Sequence, residues 1–177
     1  MAPISHETMT VTQAPLLAQI DRSEVIDLLY EMQNGELTAK EAHIDCASWD
    51  ADALRELQER YIATLAAGGF ATGAFSNGVL VGFGVLGHAW IGENGNQLAV
   101  ELLYVSRDFR RRGIGTQILD RLAGEARKRG AVYLYVSSTE TRSAVSFYRH
   151  NGSALAATPD EALFSREPKD IHMIIRL

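Results

Sequence analysis

The sequence predicts an α/β protein: a single mixed, mainly antiparallel central sheet of six to seven strands, flanked by about four helices. Three observations carry this. Apolar runs follow one another between residues 70 and 106 with a turn signal in each gap, which makes them antiparallel neighbours. Segments of helical period, 50–69 and 113–130, border that block on both sides. Finally, "AVYLYVSS" at 131–138 is a nearly continuous apolar run, the pattern of a strand set centrally or covered by helices on both faces.

Taken in order, residues 1–13 read as a mobile tail ahead of one domain spanning 14–177. "PLLAQID" (15–21) reads as a short first strand. "DRSEVIDLLYEM" (21–32) reads as a helix, with Val25, Ile26, Leu28, Leu29 and Met32 at helical spacing and Asp21 or Ser23 as its cap. The stretch 33–49 has no sustained period and is expected to be a loop with a helical turn. In 50–69, Leu54, Leu57, Tyr61, Ile62 and Leu65 form one apolar stripe, and Gly68 and Gly69 end the helix.

Asn77-Gly78 between two apolar runs marks a hairpin, because both turn residues must tolerate positive φ. "GENGNQ" makes a second turn into "LAVELLYVS" (98–106). The helix from Gly113 buries Ile114, Ile118, Leu119, Leu122 and Ala126, places Arg127, Lys128 and Arg129 at the negative end of its dipole, and stops at Gly130. A shorter helix, 139–152, closes at Asn151-Gly152. A turn-rich stretch then leads to "IHMIIRL", the last strand.

At 177 residues the chain is long enough to bury a core without metal or disulfide support. The 46% hydrophobic and 22% charged fractions are those of an ordinary globular protein. With 22 acidic against 17 basic residues, and a net charge of -5, the balance argues against a nucleic-acid partner. One cysteine, Cys46, excludes an internal disulfide and any multi-cysteine zinc site, and a cytoplasmic location is expected. The opening residues lack the pattern of a secretory signal, and no apolar run is long enough for a bilayer, so no membrane partner is expected.

Four arginines, Arg107, Arg110, Arg111 and Arg112, precede Gly113 and Gly115 in "VSRDFRRRGIGTQIL". A strand, this loop and a helix start place unpaired backbone N–H groups where an anion can meet them. Cations are unfavourable at a helix N-terminus unless an anion is supplied, so a solvated basic helix start explains the charge but not the glycines. Neither the three-glycine dinucleotide fingerprint nor the G-x-x-x-x-G-K-[ST] phosphate loop is present.

"RRRGIG" at 110–115 resembles the Q/R-x-x-G-x-G/A signature of the GNAT superfamily of N-acetyltransferases. "AVSFYRHNG" at 144–152 resembles the later A-x-x-F/L-Y-x-x-x-G helix of the same family, and one strand lies between the two matches, as the family requires. The resemblance implies an acyl-CoA N-acetyltransferase, with acetyl-CoA as co-substrate and no metal. Its fourth and fifth strands splay apart for the donor. Backbone groups of Leu103, Tyr104 and Val105 would hold the pantetheine arm, and amides of Arg111, Arg112, Gly113, Ile114, Gly115 and Thr116 would cradle the pyrophosphate, with Arg110 at the signature's first position. Tyr148 would protonate the departing thiolate. Thr141 stands where many members carry an asparagine that contacts the donor.

The attacking amine must lose a proton. Glu101, a carboxylate inside an apolar strand, is the expected base, alone or through water, because burial without a partner is costly; the bland reading is a side chain that points into water or pairs with a surface arginine. The expected acceptor is a primary amine of a small molecule, with a protein N-terminus or lysine, or a noncatalytic acyl-CoA-binding module, as alternatives. An open groove beside 33–49 would favour a protein acceptor, a closed acidic pocket a small amine. His88, Trp90, His150 and His172 are expected to be packing or rim residues, Cys46 a passive thiol, and Asp160, Glu161 and Glu167 a solvated acidic loop. Family analogy allows a homodimer.

Overall fold

The computed structural model describes residues 3–177. Two apolar runs joined at Asn77-Gly78 become β4 (Phe70–Ser76) and β5 (Val79–Ile91), and both turn residues take positive φ, 50° and 77°. β6 (Gln97–Val105) pairs antiparallel with β5 and parallel with β7 (Tyr133–Ser138). β9 (Ile171–Arg176) lies between β7 and the short β8 (Ser153–Leu155). The far edge is β1 (Ile4–Met9), so the seven-stranded sheet runs β1-β4-β5-β6-β7-β9-β8.

Four helices accompany it: α1 (Ala51–Ala66), α2 (Ile114–Arg129), α3 (Arg142–His150) and α4 (Glu161–Arg166). Asp50 caps α1 by accepting the Ala53 N–H at 2.8 Å. Leu57 and Tyr61 bury against one face of the sheet, with Leu80, Phe83 and Leu102. The expected α1 stripe is correct except at Ile62, which faces solvent. All five expected apolar residues of α2 are buried, and Gly130 ends the helix at φ +96°. Leu119 and Leu122 join Leu98, Val100, Leu134 and Val136 in the larger core on the opposite face.

The first 49 residues differ from expectation. Residues 4–9 are the edge strand β1, not a tail; residues 1 and 2 of that expectation lie outside the described ones. An edge strand has one ladder partner and a solvated side, which is why its composition reads as a tail. Met9 nevertheless sits in the core. Val11–Gln19 is a 3-10 helix rather than a strand, burying Ala14 and Leu17. The expected helix at 21–32 and loop at 33–49 are instead β2 (Glu24–Gln33) and β3 (Glu36–Cys46), a separate two-stranded hairpin. Its turn is Asn34-Gly35, with φ 52° and 81°. Short apolar runs fit either period, and here cross-strand pairing decided.

Candidate active site

The site begins with one extra residue. On β5, Val85 pairs with Leu102 and Leu86 with Val100, so Glu101 has no ladder partner and forms a β-bulge. On its other side β6 pairs with β7 only from Gln97–Tyr133 to Val100–Val136, although both strands continue. Beyond the bulge the two strands part. Ser106 N–H donates to the Val81 carbonyl at 2.8 Å, and strand peptide groups alternate in direction. Tyr104 therefore aims its peptide groups at β5, while Leu103 and Val105 aim theirs into the gap. Side chains alternate as well: Leu103 and Val105 lie against Ile114 and Ile118, while Leu102 and Tyr104 lie on the α1 face.

Past β6 the chain makes a 3-10 turn, Arg107–Phe109, and reaches the arginine–glycine loop. Arg110 does not reach outward. Its guanidinium donates to three carbonyls: Nε to Val105 at 3.0 Å, Nη1 to Ser23 at 3.2 Å and Nη2 to Arg22 at 3.0 Å. Arg111 and Gly113 both take left-handed conformations, φ 59° and 76°. Gln117 is the first amide bonded within α2, to Gly113, so the N–H groups of Ile114, Gly115 and Thr116 point out of the helix start. A side chain at Gly115 would put its Cβ 3.0 Å from Phe147 of α3, so the glycine lets the two helices meet at the cleft. Arg112 lies over the Phe109 ring, 5.0 Å from its centroid. This alternation of left-handed residues and free amides is an anion cradle.

Thr141 caps α3, its hydroxyl accepting the Ala144 N–H at 3.3 Å. Two turns later Tyr148 is largely buried and lines the cleft. Burial pushes its phenol well above the usual tyrosine range, with Tyr104 and Asp170 adding to the effect, so it remains a proton donor at neutral pH.

Glu101 is found with arginine partners. Its Oε2 lies 2.7 Å from Arg60 Nη2 of α1 and 3.7 Å from Arg166 Nη2 of α4. A second carboxylate, Asp170, stands just before β9 and accepts a 2.7 Å hydrogen bond from Ser137. No cation pairs with it among the described residues. Burial raises its carboxyl above the usual carboxylate range, against the Ser137 hydrogen bond, and Glu167 and Glu140 push the same way as burial. Nothing in the sequence marks Asp170, because its neighbours come from other elements.

The loop residues other than Arg112 and Ile114, together with Leu103–Val105, Thr141, Tyr148, Glu101 and Asp170, line one cavity of about 790 Å³. Its walls join the donor loop, the open end of β6 and β7, the inner side of the β2–β3 hairpin and α4. Cys46 and His150 line it, whereas His88 and Trp90 are exposed on β5 away from it. His172 is buried, its Nδ1 2.6 Å from the Tyr135 hydroxyl. Asp160 caps α4 rather than floating in a loop, Glu161 begins that helix, and Glu167 just past it lines the cavity.

A sheet opened at a bulge, an anion cradle at its mouth and a buried phenol beside the opening define a transferase site for a phosphate-bearing acyl donor. The model of the acetyltransferase (GNAT) family matches residues 27–152. The chain belongs to that family and is an acyl-CoA N-acetyltransferase. Among solved structures, nourseothricin acetyltransferase is similar at 21% identity and TM-score 0.70, with 98% of both chains covered. PaiA N-acetyltransferase from Thermoplasma acidophilum, in complex with coenzyme A, is similar at 16% identity and TM-score 0.65, with 99% of both covered. The ribosomal-protein-S18-alanine N-acetyltransferase of Escherichia coli is similar at 15% and 0.62, with 98% of this chain and 94% of that one covered. No curated protein matches by sequence. No helix among the described residues is long and apolar enough to cross a membrane.

Proposed function

We propose that the protein acetylates a primary amine of a small molecule, with acetyl-CoA as donor and direct attack on the thioester. The observation that carries this is the continuity of the cavity. The cavity of about 790 Å³ takes in the arginine–glycine loop and the far end together, and Ile26, Leu29 and Ile44 of the β2–β3 hairpin wall one side of it, which favours a small acceptor over an extended chain. The E. coli neighbour, whose name specifies a protein alanine, shows that the fold alone does not choose between acceptors.

The residues present fit acetyl-CoA, which supplies the activated acyl group. Amides from Arg111 to Thr116 hold the pyrophosphate, and Arg110 frames that loop from behind. Peptide groups of Leu103 and Val105 receive the pantetheine arm and polarise the carbonyl, while Tyr104 offers its side chain to the acceptor end. Thr141 keeps α3 in place, and Tyr148 gives its proton to the departing sulfur. For the amine's proton we assign Asp170, directly or through water: its carboxylate has no cationic partner and its affinity for a proton is raised. Glu101, the base expected from sequence, then serves to hold Arg60 and Arg166 in the wall.

Release of thiol from acetyl-CoA against matched panels of small amines and peptides tests the reading. Turnover with small amines supports it. Turnover with peptides alone would transfer the function to a protein acceptor, and coenzyme A binding with no turnover on either panel would reduce the chain to a binding module.

A further inference from the structure

Five arginines line the cavity, and four have an evident task. Arg110 binds carbonyls, Arg60 and Arg166 hold Glu101, and Arg111 belongs to the donor loop. The fifth, Arg22, lies in the link between the 3-10 helix and β2. Its guanidinium rests over the Trp49 ring, 5.6 Å from the centroid, and its Nε is buried with no hydrogen-bond partner. No carboxylate pairs with it among the described residues, Glu24 on the same wall included. Its main chain is fixed at both ends: the N–H reaches Ser48 Oγ at 3.4 Å, and the carbonyl accepts from Arg110. A buried guanidinium donor without a partner is costly unless a ligand completes it.

Its position separates it from the donor. Trp49 packs edge-on against Tyr104, ring centroids 4.9 Å apart, on the α1 face of β6. The donor loop feeds α2 on the opposite face. The Tyr104 hydroxyl is a measure of the field there: burial acts on it first, then Arg22 and Arg60 from the cationic side and Asp170 from the anionic side. Arg60 shares the Glu101 carboxylate with Arg166. Across Tyr104, Arg22 and Asp170 act with opposite sign, and neither has an ion-pair partner among the described residues.

We propose that the acceptor is an amine that also carries a carboxylate, an amino-acid type molecule, whose carboxylate is bound by Arg22 while its ammonium approaches Asp170. This rests on the acetyltransfer reading and narrows its substrate class. A bidentate guanidinium–carboxylate contact fixes the orientation of the acceptor as well as its affinity. A plain polyamine would instead bring a second cation against Arg22.

The test compares acceptors that differ only in the carboxylate: lysine with cadaverine, ornithine with putrescine, phenylalanine with phenethylamine. In the native protein kcat/KM is expected to favour the acid-bearing member by about 10- to 150-fold, the span of a charge-assisted hydrogen bond. Arg22→Gln is expected to collapse that ratio toward one through KM, with Arg22→Lys intermediate because an ammonium lacks the fork. Coenzyme A affinity, measured by calorimetry on each variant, is expected to hold, which also shows that the variants fold. Equal or better turnover of the decarboxylated members overturns the inference while leaving acetyltransfer intact. Loss of coenzyme A affinity in folded Arg22→Gln overturns it too, by making Arg22 a donor ligand. No turnover of any member, with coenzyme A bound, removes both readings.

Discussion

Arg110 stands at the first position of the loop signature, where an arginine invites the reading of a phosphate ligand. The structure points its fork inward, and replacing it by Met, which keeps the apolar stem, separates the two roles. Three hydrogen bonds to carbonyls are lost, at 3.0, 3.2 and 3.0 Å. Bonds from a charged donor contribute about 1.5–3 kcal/mol each, but this side chain is half-exposed and water replaces part of the loss, so a net cost of about 2–4 kcal/mol is expected. That is a large share of a typical stability of about 5–15 kcal/mol. Urea unfolding followed by circular dichroism should show a lower midpoint at unchanged slope. Arg110→Lys should recover little, because one ammonium cannot serve three divergent carbonyls. Coenzyme A should bind more weakly only as a consequence of the loosened loop. If Arg110→Met left the urea midpoint in place and weakened coenzyme A binding with a shallower salt dependence, the arginine would be a phosphate ligand and the framing argument would fail.

Tyr148→Phe should lower kcat by about 10²- to 10⁴-fold, the usual span of an acid–base catalyst, with coenzyme A affinity retained in a calorimetric titration. Asp170→Asn should cut kcat/KM and remove its rise with pH. The native carboxyl binds its proton more tightly folded than unfolded, so stability falls as pH rises from the unfolded value through the raised folded one; the Asn variant should therefore have the higher Tm at neutral pH, read by calorimetry. Met9→Ala should cost about 2–5 kcal/mol in denaturant titration, since the side chain is only 2% exposed although it lies nine residues into the chain. Gly115→Val should raise KM for acetyl-CoA by forcing Phe147, and α3 with it, away from the cradle.

The second half of the fold was legible because its signals are local. Gly113, Gly130 and Asn151-Gly152 bound their helices, and apolar residues recur at helical spacing between them. The same rule that located the turn at Asn77-Gly78 applies at Asn34-Gly35, where the flanking Val25–Met32 run also fits a helix. The bulge left a trace too: Leu98, Val100, Leu103 and Val105 share one face at spacings that skip a residue around Glu101. Of the cavity, the side formed by the loop and Tyr148 was visible in the sequence because both sit in contiguous motifs. The opposite side was not. Arg22, Arg60, Glu101 and the 166–170 stretch that carries Arg166 and Asp170 are far apart in sequence, and only the tertiary fold makes them neighbours.

The β2–β3 hairpin joins the rest of the molecule through a bridge from Leu29 to Thr141, the Tyr30 N–H to Glu140 bond at 2.7 Å, the Asp27–Arg142 ion pair and the packing of Tyr30 and Leu37 against the larger core. It shares no ladder with the seven-stranded sheet. Residues 24–46 therefore form a cassette that can reshape one wall of the cavity, by substitution or exchange, while Arg22, Asp170, the β6–β7 opening and the arginine–glycine loop stay as they are. The contour of the cavity would then be open to change within one uninterrupted piece of chain, with its charged groups held elsewhere.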